Sequence, residues 1–221
     1  MDFEKARFNM VEQQIRPWDV LDFKLLDVLQ SIPRELFVSE EQKPYAYADM
    51  ALRMPNQSYM LEPKIVARLI QSLNIQENDK VLEVGTGAGY ATAIMAKLAK
   101  NVVTYDIDAQ QSTRAAATLK SLSIENIDYQ VADAFQAALK DEQTYQAIYI
   151  GAAVHIIPQE LCSKLSIGGR LVAISGEDAV QRAQLITRQS ETEFSRETLF
   201  ETQVPMLIQG AKSLGRQAFF F

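Results

Sequence analysis

One cysteine, one histidine and one tryptophan are spread over 221 residues. With Cys162 alone no intramolecular disulfide can form, which fits a reducing compartment. Cys162 lies in an apolar stretch and reads as a packed core thiol. Cys162 and His155 are too few to build a zinc-type cluster from soft ligands, so no metal is expected. No window approaches the ~18 consecutive apolar residues of a membrane span. The opening residues, from Met1 to Lys5, carry charge where a secretory leader has an apolar core. Positive charge is also scarce: 22 Lys and Arg stand against 28 Asp and Glu, a net charge of −6. That balance argues against a bulk electrostatic grip on nucleic acid or an anionic membrane. A cytoplasmic protein that binds neither is expected. The 48% of hydrophobic residues is the share of a chain that packs a core, and it argues against disorder.

The spacing of apolar residues predicts a helical N-terminal part. Residues 3–15 form a first helix, ended by Pro17. Leu21, Leu25, Val28, Leu29 and Ile32 mark a second, closed by Pro33. Residues 38–60 have no clean period and read as an ordered loop across the face of the domain. A third helix starts near Glu62-Pro63, with proline at its first turn. From residue 80 the pattern changes. Apolar runs at 81–84, 102–105, 127–131, 147–150 and 170–174 alternate with helical stretches at 90–99, 109–122, 134–139 and 158–165. This alternation predicts an α/β protein with a mostly parallel sheet and helices on both faces. Residues 181–189, 193–201 and 203–208 are strand-like and suit antiparallel C-terminal additions. The expected organisation is an N-terminal helical extension over 1–60 packed on the main domain. A Rossmann-like domain follows over 61–210, then an apolar tail over 211–221.

The sharpest local signal is Val84-Gly85-Thr86-Gly87-Ala88-Gly89-Tyr90, where a buried strand enters a helix through three glycines. Glycines permit a tight turn and close approach of a ligand. The helix start offers unpaired N–H groups that suit a carboxylate. The spacing is not the dinucleotide fingerprint, and the Lys-Ser/Thr of a P-loop is missing. Asp106, with Ile107 after it, ends the next strand, where a carboxylate can accept from two ribose hydroxyls. Asp133, Ala134 and Phe135 follow the third strand and suit an adenine amino group and ring. Asp106 and Asp133 have a second reading as helix caps. Together the three clusters lie on one edge of the sheet, the edge at which such folds bind ligands.

At these residues the chain resembles the Class I S-adenosylmethionine methyltransferases, and specifically the protein-L-isoaspartate O-methyltransferase family. The resemblance spans residues 10–210. It rests on Ile32-Pro33-Arg34-Glu35-Leu36-Phe37-Val38, on 62–69, on the glycine block, on Ile150-Gly151-Ala152-Ala153, on 167–172 and on Val204-Pro205-Met206-Leu207. It implies a seven-stranded sheet with an antiparallel final pair. It implies S-adenosyl-L-methionine as methyl donor and S-adenosyl-L-homocysteine as product, with isoaspartyl peptides or proteins as acceptors. Glu83, Gly85, Thr86, Gly87, Gly89 and Tyr90 would then serve the methionine end, Asp106 and Ile107 the ribose, and Asp133, Ala134 and Phe135 the adenine.

The chain departs from the family just before the third helix. The family's Gly-Gln-Thr-Ile-Ser stretch puts a serine two residues before the proline, where it helps hold the substrate carboxylate. Here Leu61 stands at that position, and leucine cannot hydrogen-bond. Ser58, Gln57 and the 204–207 backbone are candidate replacements. Glu62 adds a negative charge nearby. Two alternatives therefore stay open: a methyltransferase for another acceptor, and a catalytically weak cofactor-binding protein. For the first, His155, after the fourth strand, is a candidate general base; its other reading is packing or capping. Trp18 is read as a core anchor or part of a partner surface. The apolar end, Ala218-Phe219-Phe220-Phe221, is expected to dock on this chain or a second copy, which leaves monomer and homodimer both open.

Overall fold

A computed structural model describes residues 1–138, 140, 142–177 and 180–208. The tail at 211–221, on which docking or a dimer was expected, lies outside the described residues.

The N-terminal run is helical but not uniform. Helix α1 (Phe3–Asn9) is capped by the Asp2 carboxylate, which accepts from the Lys5 amide at 3.0 Å. A π-helical turn (Met10–Ile15) and a 3-10 turn (Arg16–Trp18) continue it. Helix α2 (Phe23–Ser31) is capped by Asp22. Leu21 precedes that cap and is 64% exposed, so it does not belong to the apolar face the spacing assigned it to. The loop at 38–60 contains a 3-10 segment (Glu40–Tyr45) and a short hairpin. The hairpin pairs β1 (Leu52–Arg53) with β2 (Tyr59–Met60) in antiparallel register. These pieces are too short to leave a periodic signature.

Helix α3 (Pro63–Leu73) begins with proline and ends at Asn74 in a left-handed conformation. The alternating part follows: β3 (Lys80–Val84), α4 (Tyr90–Leu98), β4 (Asn101–Asp106), α5 (Ala109–Ser121), β5 (Ile127–Val131), α6 (Ala134–Ala137), β6 (Tyr145–Val154), α7 (Gln159–Cys162), β7 (Leu165–Glu177), β8 (Val180–Arg188) and β9 (Phe194–Thr202). The seven long strands form one sheet in the order β5-β4-β3-β6-β7-β8-β9. The first five are parallel, and β8 and β9 are antiparallel additions. Residues 203–208 are not a strand of the sheet. Met206 makes a single parallel bridge to Ala153, because β6 already has strand neighbours on both sides and leaves only its tip open. Helix α7 is also shorter than expected, since Leu165 already belongs to β7.

Buried Val81, Leu82 and Val84 make β3 apolar on both faces, as a central parallel strand requires. Met10, Val11, Ile15, Leu25 and Leu29 share one core with Ile65, Leu69, Ile70 and Ile94 on one face. Leu82, Ile148, Leu161, Cys162 and Leu171 belong to the core of the other face. Cys162 is buried, and burial pushes its thiol up. Trp18 is not a core anchor. It is 39% exposed, edge-on to Phe200 at 5.9 Å and beneath the Lys64 ammonium. No described helix is long and apolar enough to cross a membrane.

Candidate active site

After β3 the chain turns through Gly85, Gly87 and Gly89, all with positive φ (89°, 53° and 88°). Only glycine holds that conformation without strain. Two of the three face a large cavity. A Cβ on Gly85 would meet Leu207 at 3.4 Å, and one on Gly87 would meet Met54 at 3.3 Å. The turn is pinned from outside. The Gly87 amide donates to Asp106 Oδ2 at 2.9 Å, and Gln111 Nε2 donates to the Gly87 carbonyl at 2.9 Å. Gly89 does not line the cavity. A Cβ there would lie 3.1 Å from Ala115 Cβ and 3.2 Å from Leu119 Cδ1. Its small size lets α4 pack on α5, which corrects its assignment to a ligand.

Glu83 is corrected too. Its side chain is fully buried beneath the turn and does not reach the cavity. Oε2 accepts from Thr92 Oγ1 at 2.6 Å and Thr104 Oγ1 at 2.7 Å. Thr104 Oγ1 lies 2.7 Å from Thr86 Oγ1, so the network runs on to the turn. Burial outweighs these two bonds and pushes the Glu83 carboxyl up to about 8. A buried carboxyl with hydroxyl partners stabilises the turn from below.

Asp106, Ile107, Asp133, Ala134 and Phe135 all line the cavity. Burial holds the Asp106 carboxyl above its ordinary range, against bonds from the Asp108 and Gly87 amides. Each of its oxygens accepts one of those amides, which leaves one lone pair each for further donors. Asp133 caps α6 by accepting from the Phe135 amide at 3.0 Å while it also lines the cavity. The cavity measures about 1230 Å³. Small-molecule sites typically hold ~300–1,000 Å³, so a nucleoside ligand leaves space for an acceptor. Tyr90 and Ala91 bring the first turn of α4 to the same wall, where N–H groups lack helical partners. The donor set therefore fits an amino-acid carboxylate at the turn, ribose hydroxyls at Asp106 and a flat apolar ring near Ala134 and Phe135.

The hairpin and the C-terminal segment form the other side. Ser58 lines the cavity, but its hydroxyl donates to Asn56 Oδ1 at 2.6 Å. Leu61 is buried and lines the cavity. Its carbonyl accepts from Arg34 Nη2 at 2.7 Å. Arg34 is completely buried. It donates as well to the Ala46 carbonyl at 2.8 Å and lies 4.5 Å from the centre of the Tyr90 ring. One guanidinium thus ties the segment entering α3 to the first residue of α4. Gln181, also buried, accepts from the Val204 amide at 2.8 Å and fixes the 204–207 segment. That segment is anchored to the tip of β6 by two bonds with Ala153. The register of β6 against β7 shifts between Tyr149 and Ala153, which opens the sheet at Gly151 and Ala152 on the cavity wall. Such irregularities commonly border active sites. Glu62 does not line the cavity and has Lys64 at 3.6 Å as an offsetting charge. His155 is exposed beyond β6 and lies outside the cavity. Its chain neighbours Ala153 and Val154 point into the core, so the strand end turns it outward.

Arg34, Gln181, Gln111, Thr92 and Thr104 were missed as site-supporting residues. Thr92 and Thr104 carried one signal, a polar residue inside an otherwise apolar run, as in Val102-Val103-Thr104-Tyr105; Gln111 and Gln181 carried none. Arg34 lies in the 32–38 block, where nothing in the spacing marks it as buried.

A sheet of this order, with a glycine turn after β3 and a carboxylate after β4, is the Class I methyltransferase architecture. The chain belongs to the protein-L-isoaspartate O-methyltransferase family: the model described as Protein-L-isoaspartate(D-aspartate) O-methyltransferase matches residues 6–209. A protein-L-isoaspartate O-methyltransferase of Petrotoga mobilis is 36% identical over 188 residues, covering 85% of this chain and 88% of that one. One from Syntrophobacter fumaroxidans is 37% identical over 186 residues, covering 84% and 86%. Among solved structures, a putative Plasmodium falciparum protein-L-isoaspartate O-methyltransferase in complex with S-adenosyl-L-homocysteine superposes with a TM-score of 0.79. It is 19% identical, covering 94% of this chain and 98% of that one, a likeness of fold.

Proposed function

We propose that this methyltransferase transfers the methyl group of S-adenosyl-L-methionine to the free carboxylate of L-isoaspartyl residues in altered cytoplasmic proteins. S-adenosyl-L-methionine supplies a methyl carbon already activated by a positive sulfur. The Gly85–Gly87 turn and the α4 N-terminus hold its amino-acid end, Asp106 the ribose, and Asp133, Ala134 and Phe135 the adenine end.

One observation carries the choice of acceptor. Among the described residues the cavity wall contains no histidine, lysine or cysteine, and its carboxylates, Asp106 and Asp133, sit at the nucleoside end. A hydroxyl or amine acceptor needs a base near pH 7 to take its proton. A carboxylate, with a pKa of about 4, is already the nucleophile. The protein's work is then alignment, which by itself is worth several kcal/mol. Met54, Met60, Leu61 and Met206 give the acceptor side an apolar wall. The exposure of His155 weighs against the alternative in which it serves as base for another acceptor. Among the described residues no observation favours a weak binding protein over an enzyme.

Incubation with S-adenosyl-L-methionine and an isoaspartyl peptide, with the aspartyl peptide as control, tests the proposal. A base-labile methyl ester on the isoaspartyl peptide alone is the expected result. Its absence would overturn the assignment.

A further inference from the structure

The charges on the cavity wall are unevenly placed. Asp106 and Asp133 supply negative charge at the nucleoside end, and among the described lining residues Arg53 is the one cation. It lies on β1, opposite Tyr59 in the hairpin, and its side chain is exposed. The Arg53 carbonyl is anchored by Gln42 Nε2 at 2.8 Å, which fixes the hairpin beside the cavity. Two positions beside it offer no donor: Leu61 has no polar atom in its side chain, and the Ser58 hydroxyl is engaged by Asn56. Gln57 sits at φ 66°, a left-handed conformation that residues other than glycine seldom adopt. From there its Oε1 accepts from Arg53 Nη2 at 3.3 Å. That conformation is the one a three-residue hairpin loop uses, and the Gln57 amide closes the turn on the Met54 carbonyl at 2.9 Å.

We infer that Arg53, oriented by Gln57, is the specificity-determining residue that receives the acceptor's carboxylate. The inference rests on the isoaspartyl reading above. A guanidinium has five N–H donors in a planar fork that matches a carboxylate, and Gln57 uses one of them. A carboxylate offers about four lone-pair sites, so a two-pronged grip leaves others for attack on the methyl carbon. Arg53 thereby supplies from the hairpin rim the hold that Leu61 cannot supply from within.

The test uses an isoaspartyl peptide with an amidated C-terminus and no other acidic residue, so that the acceptor carboxylate is its only negative charge. Steady-state kinetics are compared for the unsubstituted protein, Arg53→Gln, Arg53→Lys and Gln57→Gly. S-adenosyl-L-homocysteine affinity is measured for each by calorimetry. Arg53→Gln is expected to raise KM about tenfold, the effect of one charge-assisted bond, with kcat and product affinity unchanged. Arg53→Lys recovers part of the loss, and Gln57→Gly gives an intermediate KM. If the unsubstituted protein methylates the peptide and Arg53→Gln leaves KM unchanged, the role of Arg53 is refuted and the isoaspartyl assignment stands. If the unsubstituted protein methylates no isoaspartyl peptide, both fall.

Discussion

Asp106 does two things at once. It pins the glycine turn through the Gly87 amide and presents its remaining lone pairs to the cavity. Replacing it by alanine removes both functions. Asp106→Ala is expected to weaken S-adenosyl-L-homocysteine binding by about ten- to a hundredfold, the worth of ~1.5–3 kcal/mol for bonds to a charged group. Calorimetry checks this. Leu61 offers the opposite experiment. Leu61→Ser restores a hydroxyl beside the acceptor without touching the carbonyl that Arg34 holds. It should raise kcat/KM for isoaspartyl peptides about tenfold. It should also cost roughly 2–4 kcal/mol of stability, because a buried leucine is removed. Gain in activity with loss of stability, read by kinetics and urea unfolding on the same variant, is the signature of a site where packing displaced a polar contact.

At the scale of elements, the glycine turn shows how one motif divides its labour. Gly85 and Gly87 keep the turn open to a ligand, while Gly89 lets α4 approach α5. Gly89→Ala places a methyl group within 3.2 Å of both Ala115 and Leu119 in a left-handed backbone. A loss of roughly 1–3 kcal/mol is expected, strain and crowding together. Gly168 is the control: it too has positive φ (82°), but a Cβ there meets nothing within 4 Å. Gly168→Ala should therefore cost only the backbone strain, and the difference between the two unfolding curves isolates the packing of α4 on α5. The strands and the longer helices of the alternating half were legible because they repeat their period; α6 and α7, four residues each, do not. The hairpin and the 203–208 segment were not. Two-residue strands carry no period, and a lone bridge from Met206 to Ala153 depends on where β6 happens to end.

The molecule as a whole carries the consequence of Glu83. Its folded-state pKa of about 8 lies well above the unfolded value of 4.5. Below pH ~4.5 the carboxyl is protonated in both states and folding carries no ionisation cost. As pH rises toward 8, the unfolded chain loses the proton while the folded one keeps it. Stability from this group therefore declines steadily across that window and levels off above it. Thermal unfolding of the unsubstituted protein should fall in Tm between pH 5 and pH 8 more steeply than that of Glu83→Gln. Equal slopes would mean that Glu83 is ionised in the folded protein.

The sequence by itself determined the α/β class, the edge of the sheet that binds a ligand, and the glycine turn with Asp106 and Asp133 around it. These are local matters: periodicity along a strand or helix, and a backbone conformation that only glycine holds easily. Tertiary structure alone decided which polar residues face the cavity and which lie under it. Glu83 and Gly89 sit within the motif yet point into the protein, while Arg53, on a hairpin with no period, lines the cavity. His155 follows a core strand and still faces solvent. The direction of a side chain at the end of an element depends on what packs against it from distant parts of the chain, and that is not written in the spacing of its neighbours.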